Sequence, residues 1–382
     1  MKIFVILLAL VLGMSLLPGC RKDSQINSRI VVTAIGIDAG ENGGCHLSIQ
    51  AVEALKTSGS LVEQEDNATE VYECEGATVA AALGRFVTLM GQDTYILHNR
   101  VIAIGLEQVQ SLSLQSLIDY FVRNHQGRPV ADMVIVRGRA ADLLKVPSES
   151  FTIPSEMLSL MLEEGSQWGN AVRTRLLDVE RAISGMYDAM IPIVHVEDEE
   201  NGAEDEKKQR IEIDGTACFR DGLYQGEVDS AATRGLLFAQ DELKKCMYDL
   251  EMPAFGRLTA EVHVSDTRVK ISGSSGKPAF SFHIRCRAEI EESFSPDHIQ
   301  LERLDEIDAL LSSMIKNDVE NALDQSIRRY GCDVLGLKRM TMKKAPSMVR
   351  GRETIWPDIL RSSAFEIQVE ASVDKIGAQA VD

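Results

Sequence analysis

Cys20 is the residue whose surroundings most clearly specify a chemical reaction. A short positively charged start, Met1 and Lys2, precedes an apolar run from Ile3 to Leu12, and Gly19 stands directly before Cys20. This order of charge, apolar run and small residue is typical of an export signal. A cysteine directly after the small residue resembles the bacterial lipobox, in which the thiol receives a diacylglycerol. We therefore expect Cys20 to be lipidated; the alternative is a plain secretory signal followed by a chance cysteine.

The other cysteines show no spacing of a metal site or a redox motif. They are widely separated and include no Cys-x-x-Cys pair: Cys45, Cys74, Cys218, Cys246, Cys286 and Cys332. An exported chain could oxidise some of them. Domains of this size do not need disulfides, however, and Cys286 occupies a core position in a strand pattern. We expect buried free thiols.

No other group of reactive residues forms a recognisable catalytic motif. Residues 273–278 superficially suggest a phosphate loop, but the spacing is too short and Pro278 stands where Ser or Thr should hold the metal, so a hairpin turn is predicted. The histidines show no ligand pairing. The acidic run at 197–206 lacks EF-hand spacing and predicts a solvated loop, with a cation site as the alternative. We expect no catalytic residue, cofactor or metal. The alternative is a hydrolase whose catalytic residues come together from distant positions of the sequence.

One basic stretch stands out in a chain of net charge −18. It contains Lys338, Arg339, Lys343, Lys344, Arg350 and Arg352. One interpretation is a solvated loop between a helix and the final strand. The other is a contact with lipid head groups or with an acidic partner. The overall negative charge argues against a general nucleic-acid binder, because the phosphate backbone rewards Lys and Arg.

The N-terminal half predicts a mixed α/β fold. The chain has 382 residues, of which 45% are hydrophobic, and no segment after the signal is apolar for long enough to span a bilayer. The pattern predicts strands at 29–38, 46–53, 95–105 and 133–136. They alternate with predicted helices at 78–90, 112–122 and 140–145. Further helices are predicted from Pro154 to Gly165 and at 171–183, before a strand at 191–196. Two short strands joined at Asp221-Gly222 then predict a hairpin.

The last third predicts a sheet with one dry face. Apolar and polar residues alternate at 258–264, 280–290 and 365–373, which is typical of antiparallel strands wet on one side. The segment 295–330 carries an apolar stripe and predicts one or two helices laid across the dry face. The fold class is therefore α+β and multidomain. We predict a signal peptide at 1–19 and a lipidated leader at 20–28. Three domains follow: a mixed α/β N-terminal domain at 29–200, a small β-rich middle domain at 207–250 and a C-terminal domain at 252–382. The C-terminal domain is predicted to have an antiparallel sheet covered by a long helix or helices.

Several short motifs occur in an order that resembles one family, the Ger(x)C spore germination lipoproteins. They cover nearly the whole mature chain: Cys20, Ala34 to Asp38, His98 to Gly105, Asp119 to Arg123 with Arg128, Gly215 to Leu223, Thr233 to Leu237 and Cys332 to Gly336. One departure is Arg21-Lys22, where the family usually has Trp-Asp after the lipidated cysteine.

The resemblance implies a non-enzymatic, lipid-anchored subunit of a nutrient germinant receptor. Such a subunit lies on the outer face of the spore inner membrane beside two integral membrane partners, and it needs no cofactor. Whether it binds a germinant directly is left open. The alternatives are a solute-binding lipoprotein of a transporter, which usually has two doubly wound lobes, and an exported hydrolase.

Overall fold

The computed structural model describes residues 29–52, 69–124, 127–148, 151, 153–185, 187–199, 208–253, 256–294, 304–376 and 379–380. The signal peptide and Cys20, most of the acidic run, and the predicted helix start at Ser295 lie outside these residues. The described residues form two β-sheets, each packed against helices.

The first sheet combines parallel and antiparallel strands. Its strands are β1 (Arg29–Ala39), β2 (Cys45–Val52), β3 (Thr69–Gly76), β4 (Asp93–Tyr95), β5 (Val101–Gly105), β6 (Asp132–Val136), β7 (Ala189–Glu199), β8 (Lys208–Arg220) and β9 (Leu223–Val228). They follow the order β3-β2-β1-β5-β6-β7-β8-β9, with β4 beside the start of β1. β1, β5, β6 and β7 run parallel, whereas the β1–β2 and β8–β9 pairs are antiparallel. The predicted mixed α/β fold is confirmed.

Helices cover both faces of this sheet. They are α1 (Val79–Met90), α2 (Leu106–Ser111), α3 (Leu114–Arg123), α4 (Ala140–Lys145), α5 (Pro154–Gln167) and α6 (Leu176–Ile183). Ile102 and Ile104 pack in one core with α1, α3 and α6, while Val101 and Ala103 pack in a second core with α4 and α5. Successive side chains of a strand point to opposite faces. The central strands are therefore mostly apolar on both faces.

The second sheet has a long hairpin at its centre. In order, its strands are β10 (Cys246–Met252), β11 (Gly256–Ser274), β12 (Lys277–Ser293), β13 (Ala364–Ile376) and β14 (Gln379–Ala380). Residues 273–278 form the predicted hairpin turn, in which Gly273 and Gly276 adopt φ of +105° and +73°. Phe282 is fully buried and His283 is half-buried, so the predicted dry face is confirmed.

The long helix α8 (Leu304–Leu323) covers the dry face and continues as a π-helical segment at Asp324–Arg329. The prediction of a purely antiparallel sheet is wrong for one pair of strands, because β12 and β13 run parallel. β13 begins beside the start of β12, since Ala279 pairs with Ala364. The helical connection carries the chain back along the sheet before β13 starts, as a parallel pair requires.

The stretch predicted as a middle domain is divided between the two sheets. β8 and β9 hydrogen-bond into the first sheet, while α7 (Ser230–Gln240) and β10 pack with the second. Gly235 of α7 lies so close to α8 that a Cβ there would stand 2.1 Å from the carbonyl oxygen of Asp318. The three domain ranges stay a prediction. Among the described residues, no helix combines the length and the apolar character needed to cross a bilayer.

Candidate docking surface

The basic stretch folds mostly as a helix and not as the loop considered above. α9 (Leu337–Lys344) carries Lys338, Arg339, Lys343 and Lys344, and short turns follow at Pro346–Met348 and Glu353–Ile355. Arg339, Lys343, Lys344 and Arg350 are exposed, while Lys338 and Arg352 are half-buried. A last short helix, α10 (Trp356–Arg361), leads into β13.

The tip of the β11–β12 hairpin packs beside this helix. The Lys344 Nζ donates to the Val269 carbonyl oxygen at 3.2 Å, and the Ser275 Oγ donates to the Ser347 carbonyl oxygen at 3.1 Å. Lys270 points away from these contacts, because it follows Val269 on β11 and lines a pocket on the other face of the second sheet with Arg285 and Glu370. The sequence analysis missed the packing of the hairpin tip against α9, because about 70 residues separate the two in the sequence.

We call the six cations of the basic stretch together the basic surface: Lys338, Arg339, Lys343, Lys344, Arg350 and Arg352. Within the part of the chain that the structure describes, none of them forms an ion pair with a carboxylate. Several cations elsewhere in the described residues are paired, as Arg285 is with Glu370 at 3.1 Å and Arg137 with Glu227 at 2.8 Å. One acidic side chain, Glu353, directly follows Arg352 in the sequence. Its pKa is lowered by backbone N–H groups and by the charge of Lys338. The basic surface thus keeps most of its positive charge on an acidic protein.

Asp333 fixes the orientation of α9. Its carboxylate accepts hydrogen bonds from the backbone N–H of Leu337 and of Lys338, both at 2.6 Å, and from the Trp356 indole N–H at 3.0 Å. The side chain is almost fully buried, and burial raises its pKa although these donors favour the charged form. One carboxylate thereby ties the start of the basic helix to α10.

Asp188 connects Asp333, and with it the start of α9, to the first sheet. Its carboxylate accepts the Asp333 N–H at 2.6 Å, and its own N–H donates to the Asp333 carbonyl oxygen at 3.2 Å. Burial raises the pKa of Asp188 to about 6. Because Asp188 lies directly before β7, the basic surface is held against a defined edge of the first sheet.

A cleft of about 630 Å³ opens beside α9, between the two sheets. Its lining includes Asp188, Gln240, Glu242, Thr267, Arg339 and Lys344. The Gln240 Nε2 donates to the Val334 carbonyl oxygen at 3.2 Å, whereas its buried Oε1 has no partner among the described residues. Burial raises the pKa of Glu242. The cleft thus offers hydrogen-bonding groups of both kinds next to two cations.

The described carboxylates of the acidic run do not surround a free position for a cation. Glu197 lies on β7 with His195, and their ligand atoms come within 4.8 Å of those of Glu212 on β8. However, the Arg210 guanidinium lies 2.6 Å from a carboxylate oxygen of Glu197 and 2.6 Å from one of Glu212. The Arg210 guanidinium therefore occupies the position between the two carboxylates and offsets part of their charge.

The six cysteines of the described residues are buried free thiols, as predicted. Burial raises the pKa of Cys74 to about 11 and those of Cys218 and Cys246 to about 12. Because the thiolate is the reactive form, these groups are poor nucleophiles at neutral pH.

Comparisons with known proteins match both halves of the chain. The family described as "Spore germination protein N-terminal domain" matches residues 22–196, and the family described as "Spore germination B3/GerAC like, C-terminal" matches residues 214–377. Spore germination protein KC of Bacillus subtilis (strain 168) is 18% identical over 96% of this chain and 94% of its own length. Spore germination protein GerQC of Bacillus cereus is 20% identical over 97% of this chain and 98% of its own length. The crystal structure of the GerBC protein superimposes with a TM-score of 0.59 at 16% identity, over 89% of this chain and 96% of that one.

Proposed function

Because this chain belongs to the Ger(x)C family of spore germination proteins, we propose that it is a lipid-anchored, non-enzymatic subunit of a nutrient germinant receptor. The lipid is attached at Cys20 and holds the protein on the outer face of the spore inner membrane. There it binds the integral membrane subunits of the receptor and contributes to nutrient-triggered germination by docking.

The observation that carries this proposal is the basic surface. It lies on a chain of net charge −18, and its cations have no carboxylate partners among the described residues. Its helix is held in place by a buried carboxylate, so the charges are presented on a rigid support. A rigid patch of opposite sign orients an acidic body against a membrane or a neighbouring subunit.

The test is a charge reversal on α9 in the full, lipidated chain. Lys343→Glu together with Lys344→Glu should reduce copurification with the membrane subunits and slow germination, since charges at an interface rim act mainly on association rate and salt dependence. The matched control is Lys244→Glu with Arg257→Glu, which reverses two exposed cations outside the basic surface. Normal copurification and normal germination of the α9 variant would remove this surface from the proposal.

The cleft favours a second candidate, the binding of a small polar solute. Its volume of about 630 Å³ and a lining that combines carboxylate, amide, hydroxyl and cationic side chains suit a small polar ligand. A thermal-shift screen with amino acids, sugars and nucleosides tests this candidate, because a ligand that binds only the folded state raises Tm. A Gln240→Leu variant should lose any such shift, whereas the absence of a shift with every compound contradicts solute binding.

A further inference from the structure

The basic surface and the start of the described chain lie at the same edge of the first sheet. β1 begins at Arg29 and β7 begins at Ala189, and the strands from β1 through β5 and β6 to β7 are parallel neighbours. Their amino ends therefore lie at one edge, which we call the amino edge. β1 and β7 are three strand spacings apart, roughly 14 Å.

α9 starts at this amino edge. Asp188 directly precedes β7 and hydrogen-bonds to Asp333 at 2.6 Å, and Asp333 holds the first turn of α9. A second contact at the same edge joins the Arg220 guanidinium to the Tyr330 carbonyl oxygen at 3.2 Å. The fold thus places the amino end of β1 and the basic helix on the same side of the first sheet.

The short chain between Cys20 and Arg29 limits how far the amino edge can lie from a lipid on Cys20. Residues 21–28 span at most about 28 Å when fully extended. A lipid on Cys20 therefore brings the amino edge, and the basic helix with it, close to the membrane surface. This step rests on the lipid anchor proposed above.

We propose that the basic surface binds anionic phospholipid head groups and holds the amino edge of the first sheet against the membrane. The acyl anchor retains the protein but leaves its orientation free, and a second, charged contact removes that freedom. Each Lys or Arg near an anionic leaflet strengthens binding about fivefold. Ile355 adds an apolar group, since it is 51% exposed beside Trp356, whose indole is bonded to Asp333.

The experiment uses the chain from residue 20 onward with Cys20→Ala, so that neither the apolar signal peptide nor a lipid contributes to binding. It is mixed with vesicles of pure phosphatidylcholine and with vesicles of an equal mixture of phosphatidylcholine and phosphatidylglycerol, and co-sedimentation is measured at low and at high salt. We expect binding to the mixed vesicles only, with a loss at high salt. Added Lys343→Glu or Arg350→Glu should each weaken that binding at least about fivefold. Ile355→Ser should weaken it with little change in its salt dependence.

The control is Arg257→Glu, an exposed cation at the opposite end of β11 from the hairpin tip, which should bind like the parent. Equal binding to both kinds of vesicle, equal weakening by Arg257→Glu, or no binding at all would overturn the proposal. If the parent ignores vesicles but the lipidated chain copurifies with the receptor subunits in a Lys343-dependent manner, the partner of this surface is an acidic protein. That outcome overturns the lipid contact and leaves the proposed function standing. If the lipidated wild-type chain fails to copurify at all, the proposed function itself is wrong.

Discussion

Replacing Asp333 by alanine tests the link between the core and the basic surface most directly. The substitution leaves three donors without their acceptor: the N–H groups of Leu337 and Lys338 and the indole N–H of Trp356. A buried donor left unsatisfied costs about 1–3 kcal/mol, whereas removing a buried carboxylate relieves part of its desolvation cost. We expect a net loss of about 2–4 kcal/mol of unfolding free energy, or a fall in Tm of roughly 3–5 °C.

Thermal unfolding followed by circular dichroism measures the loss, and a double-mutant cycle with Trp356→Phe assigns it. The two changes remove the same hydrogen bond, so their effects should be less than additive by about 0.5–2 kcal/mol. Trp168 and Trp356 are the two tryptophans of the chain. In a Trp168→Phe background, the emission of Trp356 should therefore shift when Asp333 is replaced.

The control is Asp358→Ala, which removes an exposed carboxylate of α10 paired with Arg361 and should change Tm very little. Strictly additive effects of Asp333→Ala and Trp356→Phe, or an unchanged Tm for Asp333→Ala, would refute the role given to Asp333. Normal vesicle binding by a clearly destabilised Asp333→Ala protein would show that α9 does not depend on this carboxylate for its orientation.

Three further predictions test other parts of the molecule. Phe282→Asp should destabilise the second sheet by several kcal/mol and His283→Asp only mildly, because just one face is dry; equal losses in Tm would reject this assignment. Cys20→Ala should release the chain from membranes that lack the receptor subunits, while its fold stays intact; membrane fractionation checks this, and retention would reject the lipid anchor. The pKa of Asp188 is raised to about 6, so wild-type stability should fall as pH rises from about 4 to about 6, as this buried group ionises. Asp188→Asn should lack that fall, and parallel Tm–pH curves for the two proteins would contradict it.

Local patterns in the sequence were enough to predict many elements. The period-two alternation of β11, β12 and β13, the apolar central strands and the Asp221-Gly222 hairpin reflect burial and turn chemistry that act over a few residues. Several elements were missed: β3, β10, β14, α2, α7, α9 and α10. α7 carries a central Gly235 that weakens its helical pattern, yet this glycine is the residue that allows α7 to touch the backbone of α8.

The sequence by itself determined the composition of the basic stretch, the motif around Cys20 and the family resemblance, because each depends on residues that are adjacent in the chain. Only the tertiary structure decided that β13 runs parallel to β12, since strand direction depends on where the long helical connection returns the chain. It also decided that the tip of the β11–β12 hairpin packs beside α9, and that Asp333 and Asp188 hold the basic surface at the amino edge of the first sheet. These contacts join residues about 70 to 145 positions apart, and no local pattern records which distant groups will satisfy a buried carboxylate.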